Sequence, residues 1–109
     1  MNKPAHLPND PQQAVETMLK ITEDLVGLIE SETNAVATND GTTMAMNEPL
    51  KETVIEVYKE AADEFHNRLA EFRNVDKTLI GQLTEAQNSL KQTTDNNLKL
   101  LDKLNSEQE

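Results

Sequence analysis

Residues 11–38 read PQQAVETMLKITEDLVGLIESETNAVAT, and this stretch decides the fold class. Val15, Met18, Thr22, Leu25, Ile29 and Val36 recur at helical spacing, and Leu19, Ile21, Val26 and Leu28 widen the stripe. Apolar positions three and four residues apart form one face of an α-helix. The start is marked as well. Asp10 can accept from a free amide of the first turn, Pro11 fills the first helical position at no cost in hydrogen bonds, and Gln13 stands where a capping box places its partner.

Downstream, Thr38-Asn39-Asp40-Gly41 carries turn chemistry, and a short turn is expected over Thr43–Met46. Asn47-Glu48-Pro49 then predicts a helix restart, because proline is tolerated in a first turn. Leu50, Val54, Val57, Ala61, Phe65, Leu69 and Phe72 form the second stripe. The pattern slips in phase at Asn74-Val75-Asp76, where Asp76 either caps a third helix or sits in a bend. Leu79, Leu83, Ala86, Leu90, Asn97, Leu101 and Leu104 make the third stripe, interrupted by Thr94 and by polar Asn97. No bounded run alternates with period two, so strands are not expected.

The pattern predicts an all-α fold, an antiparallel, coiled-coil-like bundle of three long helices over 11–38, 48–73 and 76–105, since short connections favour antiparallel neighbours. Residues 1–10, with Pro4 and Pro8, read as a disordered arm, 11–105 as a single domain and 106–109 as a frayed tail. The expected core is Leu25, Ile29, Val54, Val57, Phe65, Leu69, Leu79 and Leu83.

Composition narrows the function. Ten Lys and Arg stand against twenty Asp and Glu, a net charge of −10 in 109 residues. Such a surface repels phosphate and argues against nucleic acid and anionic membranes. No run approaches the ~20 apolar residues of a membrane span, and the start lacks the apolar core of a signal peptide. Without cysteine there is no disulfide and no thiolate chemistry, and three glycines cannot build a phosphate loop. The lack of cysteine fits a reducing compartment.

Candidate chemistry is sparse. His66, in Phe65-His66-Asn67-Arg68-Leu69-Ala70, invites comparison with histidine phosphotransfer modules, but their motif's Lys and Gly are missing and a solvated histidine is the simpler reading. Asp63 and His66 share a helix face, yet a di-iron bundle needs two such pairs and more carboxylates. The only other histidine is His6, so no metal and no cofactor is expected. Glu48, Glu52, Glu56, Glu60 and Glu64, four residues apart, make one face of the second helix negative: a solvated face, or a docking face for a basic partner. No nucleophile and base are spaced for catalysis, and the chain does not read as an enzyme.

One longer pattern carries a resemblance. Leu28-Ile29-Glu30-Ser31-Glu32-Thr33-Asn34-Ala35-Val36 is followed by Asn39-Asp40, then Lys51, then Tyr58, and Asn97 precedes Leu100 and Leu101. In this, from about Val15 to Leu104, the chain resembles the FlgN-type flagellar export chaperones. It departs at Thr42-Thr43-Met44-Ala45-Met46, less apolar than that family's usual run, and in a short, less basic C-terminus.

The resemblance implies a non-enzymatic cytoplasmic chaperone of the flagellar type III export system. Its clients would be hook-associated proteins of the hook–filament junction, held by a C-terminal helical segment, with export-gate components and a second copy as further candidate partners. Carried over residue by residue, client contact falls on Leu90, Asn97, Leu101 and Leu104, with Leu98 and Leu100 inside or at the side. The alternatives are a structural coiled-coil or adaptor protein and, less favoured, a phosphotransfer module using His66.

Overall fold

The computed structural model describes residues 5–108, which hold three long helices, α1 (Pro11–Ala37), α2 (Gly41–Asn67) and α3 (Lys77–Gln108), and a short 3-10 helix at Leu69–Phe72. No strand occurs among the described residues, and the helices pack against one another as an all-α bundle. The start of α1 is as its sequence predicts. The Gln13 amide donates to the Asp10 carboxylate at 3.0 Å, and Pro11 occupies the first turn.

The turn after α1 explains why α2 begins early. The Asp40 amide donates to Ala35 O at 2.8 Å and the Asn39 amide to Val36 O at 3.2 Å. Asn39 sits at φ 56°, the left-handed conformation that closes a helix in this double hydrogen bond and that asparagine adopts more readily than most residues. Asp40 at once caps the next helix. Its carboxylate accepts from the Thr43 amide at 3.1 Å and from the Thr43 hydroxyl at 2.7 Å. The expected restart at Asn47–Pro49 and the separate turn over Thr43–Met46 are therefore corrected: α2 runs from Gly41 straight through Pro49. The strong cap outweighs the hydrogen bond that Pro49 denies the carbonyl of Ala45.

The second helix also stops sooner than expected, at Asn67 instead of residue 73. On a continuing α-helix Phe65 and Phe72 would stand about 10 Å apart along the axis. The 3-10 turn instead stacks their rings at 4.4 Å, with the Arg68 guanidinium 5.5 Å from the Phe72 centroid. Phe72 is thereby buried and Leu69 is turned outward, half of its surface exposed. Asp76 then caps α3, accepting from the Thr78 amide at 2.9 Å.

Helix directions follow from the cross-links. Ser31 meets Asn47 and Glu32 meets Lys51 at one end, while Val15 and Met18 join Ala61 in the core at the other, so α1 and α2 are antiparallel. Thr33 meets Asn97, and the Val15–Met18 region shares the core with Leu83, so α1 and α3 run parallel. Consecutive helices alternate in direction, but α1 is the hub against which both others pack. The result is a slab of 51 × 34 × 19 Å. Its radius of gyration, 16.2 Å, exceeds the ~13 Å of a compact domain this size.

The core is one-ended. Leu7, Ala14, Val15, Met18, Ala61, Phe72, Val75 and Leu83 cluster at the α1 N-terminus, called proximal below. Of the expected core residues, Leu25, Ile29 and Leu83 are buried, Val54, Val57, Phe65 and Leu79 are half-buried, and Leu69 is exposed. The predicted α1 stripe is buried at Val15, Met18, Thr22, Leu25, Ile29 and Val36. Thr22, an odd member, satisfies its hydroxyl by donating to Met18 O at 2.8 Å.

Two expectations at the chain ends change. Residues 5–10 are no loose arm. Leu7 is buried in the core, the His6 and Leu7 amides donate to the Glu64 carboxylate at 2.9–3.0 Å, and Arg68 donates to the carbonyls of Pro8 and Asn9. A buried leucine closes the open end of the bundle, and the charged partners satisfy the backbone around it. Residues 1–4 of the expected arm lie outside the described residues. At the other end α3 continues to Gln108, past the expected limit of 105, and Glu109 lies outside the described residues.

Candidate functional site

The distal half of the slab is built differently from the proximal half. Here the end of α1, the start of α2 and the end of α3 meet, and polar contacts hold them: besides the exposed bond that Asn47 donates to the Ser31 hydroxyl at 3.1 Å, there are two more deeply placed ones. Lys51 reaches across from α2 to place its ammonium 2.8 Å from both carboxylate oxygens of Glu32 on α1, a residue only 8% exposed. On the α3 side, Asn97 donates to the Thr33 hydroxyl at 2.9 Å, and that hydroxyl donates to Ile29 O at 3.0 Å. Such a relay leaves each buried polar atom partnered, as burial requires. No buried side-chain nitrogen or oxygen among the described residues lacks a partner.

Against this frame the residues singled out on α3 separate. Asn97, expected to face a client and to add nothing to internal burial, is 4% exposed and belongs to the fold. Its polar amide is no obstacle to burial because Thr33 offers an acceptor at the matching height. Leu90, Leu100, Leu101 and Leu104 are half-buried. Leu90, Leu101 and Leu104 lie on the same helix stripe as Asn97 and so lean toward α1. Leu98 is turned out, with 57% of its surface exposed. Because Thr33 is level with Asn97, the end of α1 at Ala37 is level with about Leu101, and the remainder of α3 to Gln108 extends beyond it.

The start of α2 is the other apolar surface of this end. Met44, Met46 and Leu50 are 37%, 71% and 53% exposed. The five-glutamate run of α2 is no uniform face. Glu48, Glu52 and Glu56 are exposed, whereas Glu64 accepts the backbone amides of His6 and Leu7, and Glu60 lies 3.6 Å from His6 Nε2. His66 is an exposed side chain in the last turn of α2. Among the described residues no group of three or more His, Asp or Glu is placed to hold a metal ion. No described helix is long and apolar enough to cross a membrane.

The hydroxyl and then the amide of Thr43 hold the Asp40 carboxyl below its ordinary value, as befits a helix cap. Burial pushes the Tyr58 phenol up.

One feature of the molecule was invisible to periodicity. At the proximal end, between the close of α2 and the opening of α3, lies a mostly apolar cleft of about 360 Å³, lined by Phe65, Leu69, Phe72, Ile80 and the stems of Arg73 and Lys77 among others. It exists because the 3-10 turn swings Leu69 out of the helical stripe. The misfit of phase at Asn74–Asp76 was its only trace in the sequence.

Compared with known proteins, the chain matches no family model, no curated protein and no solved structure.

Proposed function

We propose that the chain is a non-enzymatic cytoplasmic chaperone of the flagellar export type, which holds an amphipathic helix of a hook-associated client along the distal part of α3 until export. The observation that carries this reading is Leu98, 57% exposed on a helix whose neighbouring leucines Leu100, Leu101 and Leu104 are half-buried and whose end extends past α1. A client helix laid there would cover Leu98 and complete the burial of its neighbours, the helix-in-groove mode of recognition. The half-burial of those leucines suits a contact that must later release.

The flagellar assignment rests on the sequence resemblance, and the roles of the residues that carry it support it. Glu32 pairs with Lys51, Thr33 with Asn97, and Asp40 caps α2, so positions far apart in sequence are partners in one distal clasp. The proposed contacts are therefore Leu98, Leu100, Leu101 and Leu104, with Leu90 toward the middle of the helix, while Asn97 positions α3 and does not touch the client.

The test is capture of the C-terminal segments of hook-associated proteins by the purified chain, followed by calorimetry. Leu98→Asp should weaken binding by about tenfold or more with an unchanged melting temperature, since the side chain is largely outside the fold. Unchanged affinity in that variant removes the α3 surface from the reading. No binding of any such segment by the folded wild type removes the flagellar client and leaves an adaptor role.

A further inference from the structure

Exposed apolar side chains and a set of unpaired charges remain unexplained by a client on α3. At the proximal end Leu69 is 50% exposed beside the apolar cleft, and Arg73 and Lys77, both exposed, flank it. Neither cation has an ion-pair partner among the described residues, although the chain carries twice as many acidic as basic groups. At the distal end Met46 and Leu50 are 71% and 53% exposed, four residues apart and so on one stripe of α2. Glu52 and Glu56, also four apart, form a second stripe about a third of the way round the same helix, both exposed and without an ion pair among the described residues. Of the cations on this helix, Lys51 is taken up by Glu32, and Lys59, three residues after Glu56, forms no ion pair with it.

We propose that the proximal cleft receives the first half of α2 from a second copy of this chain, with Leu50 and Met46 entering against Leu69 and the Phe65–Phe72 pair, and Glu52 and Glu56 meeting Arg73 and Lys77.

The argument is complementarity of two kinds at once. An apolar ridge with carboxylates to its side meets an apolar cleft with cations at its rim. The two surfaces cannot meet within one chain, because Leu50 and the end of α2 at Asn67 are separated by about 26 Å of rigid helix. They lie at opposite ends of the slab, so each contact joins the ridge of one copy to the cleft of another, and an antiparallel pair satisfies two such contacts at once. The patch is small, so the association is weak and shows at high protein concentration. Its ion pairs are at a solvent-accessible rim, so salt opposes it. Leu98 takes no part, and the proposal stands or falls independently of the client surface.

Sedimentation of the full chain over a hundredfold range of concentration tests it. At low salt the average mass should rise with concentration, and 0.5 M salt should return it to monomer. Arg73→Glu with Lys77→Glu, and separately Glu52→Lys with Glu56→Lys, should each weaken self-association by about tenfold or more. These side chains are exposed and unpaired, so both variants should melt as the wild type does. Mixed, the two variants should associate again: the acidic ridge of the first meets the intact cleft of the second, and the basic ridge of the second meets the acidic rim of the first. Leu98→Asp should leave every one of these results unchanged. A wild type that stays monomeric throughout, self-association that survives either charge reversal, or a mixture that stays monomeric would overturn the proposal.

Discussion

Asn97 of α3 donates its amide hydrogen to the hydroxyl of Thr33 on α1 at 2.9 Å, and Thr33 hands the bond on to Ile29 O at 3.0 Å. This relay fixes the register of the two helices in the half of the molecule that the main hydrophobic cluster does not reach. A polar pair does so more selectively than a leucine pair would, because sliding by one residue leaves a buried amide without its partner.

Asn97→Ala should therefore cost about 1–3 kcal/mol, and Thr33→Ala a similar amount. Combined, the two should cost clearly less than their sum, since each already breaks the same bond. Chemical denaturation of the four proteins of this cycle provides the check. Additive losses would mean that the contact does not couple the helices.

Lys51 and Glu32 make the corresponding link between α2 and α1, with Glu32 the more deeply buried partner. Lys51→Met should destabilise the fold, because it strands a buried carboxylate. Glu32→Gln together with Lys51→Met should recover most of the loss. Equal melting temperatures for the wild type and Lys51→Met would show the pair to be solvated.

Leucines expected alike in the core differ sharply in their contributions. Leu83 is 3% exposed and Leu69 is 50% exposed. Leu83→Ala should cost about 2–5 kcal/mol, the range of buried leucines. Leu69→Ala should lie near 0.5 kcal/mol, as for a surface change. Comparison of their denaturation midpoints tests the outward turn of Leu69.

Acid should loosen the start of α2. The Asp40 carboxyl is held below its ordinary value by Thr43, so the folded chain binds the fewer protons. The cap's contribution is complete above the unfolded value and disappears as the pH falls through the lower folded one. The protection of the Thr43 amide, its exchange rate measured against that of an unstructured chain at the same pH, should fall across that interval. In Asp40→Asn, which retains an acceptor without the charge, this pH dependence should vanish.

Much of the fold was legible along the chain. The α1 stripe from Val15 to Val36, the Asp10–Pro11 start, and the cap at Asp76 each depend on neighbours within a turn or two, and local spacing determines them. For the same reason the number of helices and the all-α class followed from the pattern. Where two local signals compete, spacing alone does not rank them: Pro49 marks a helix start, but Asp40 and the left-handed Asn39 begin the helix eight residues earlier.

What only the tertiary structure decided involves partners far apart in the chain. Leu7 is buried because Glu64 and Arg68, more than fifty residues away, satisfy the backbone beside it. Asn97 is part of the fold because Thr33 stands opposite, and Leu98, its neighbour by one residue and 100° of rotation, is therefore turned out. Leu69 lost its place in the core to the stacking of Phe72 on Phe65. Periodicity tells which side chains prefer to leave water; which of them succeed depends on the few positions where a second helix supplies matching shape and a hydrogen-bond partner.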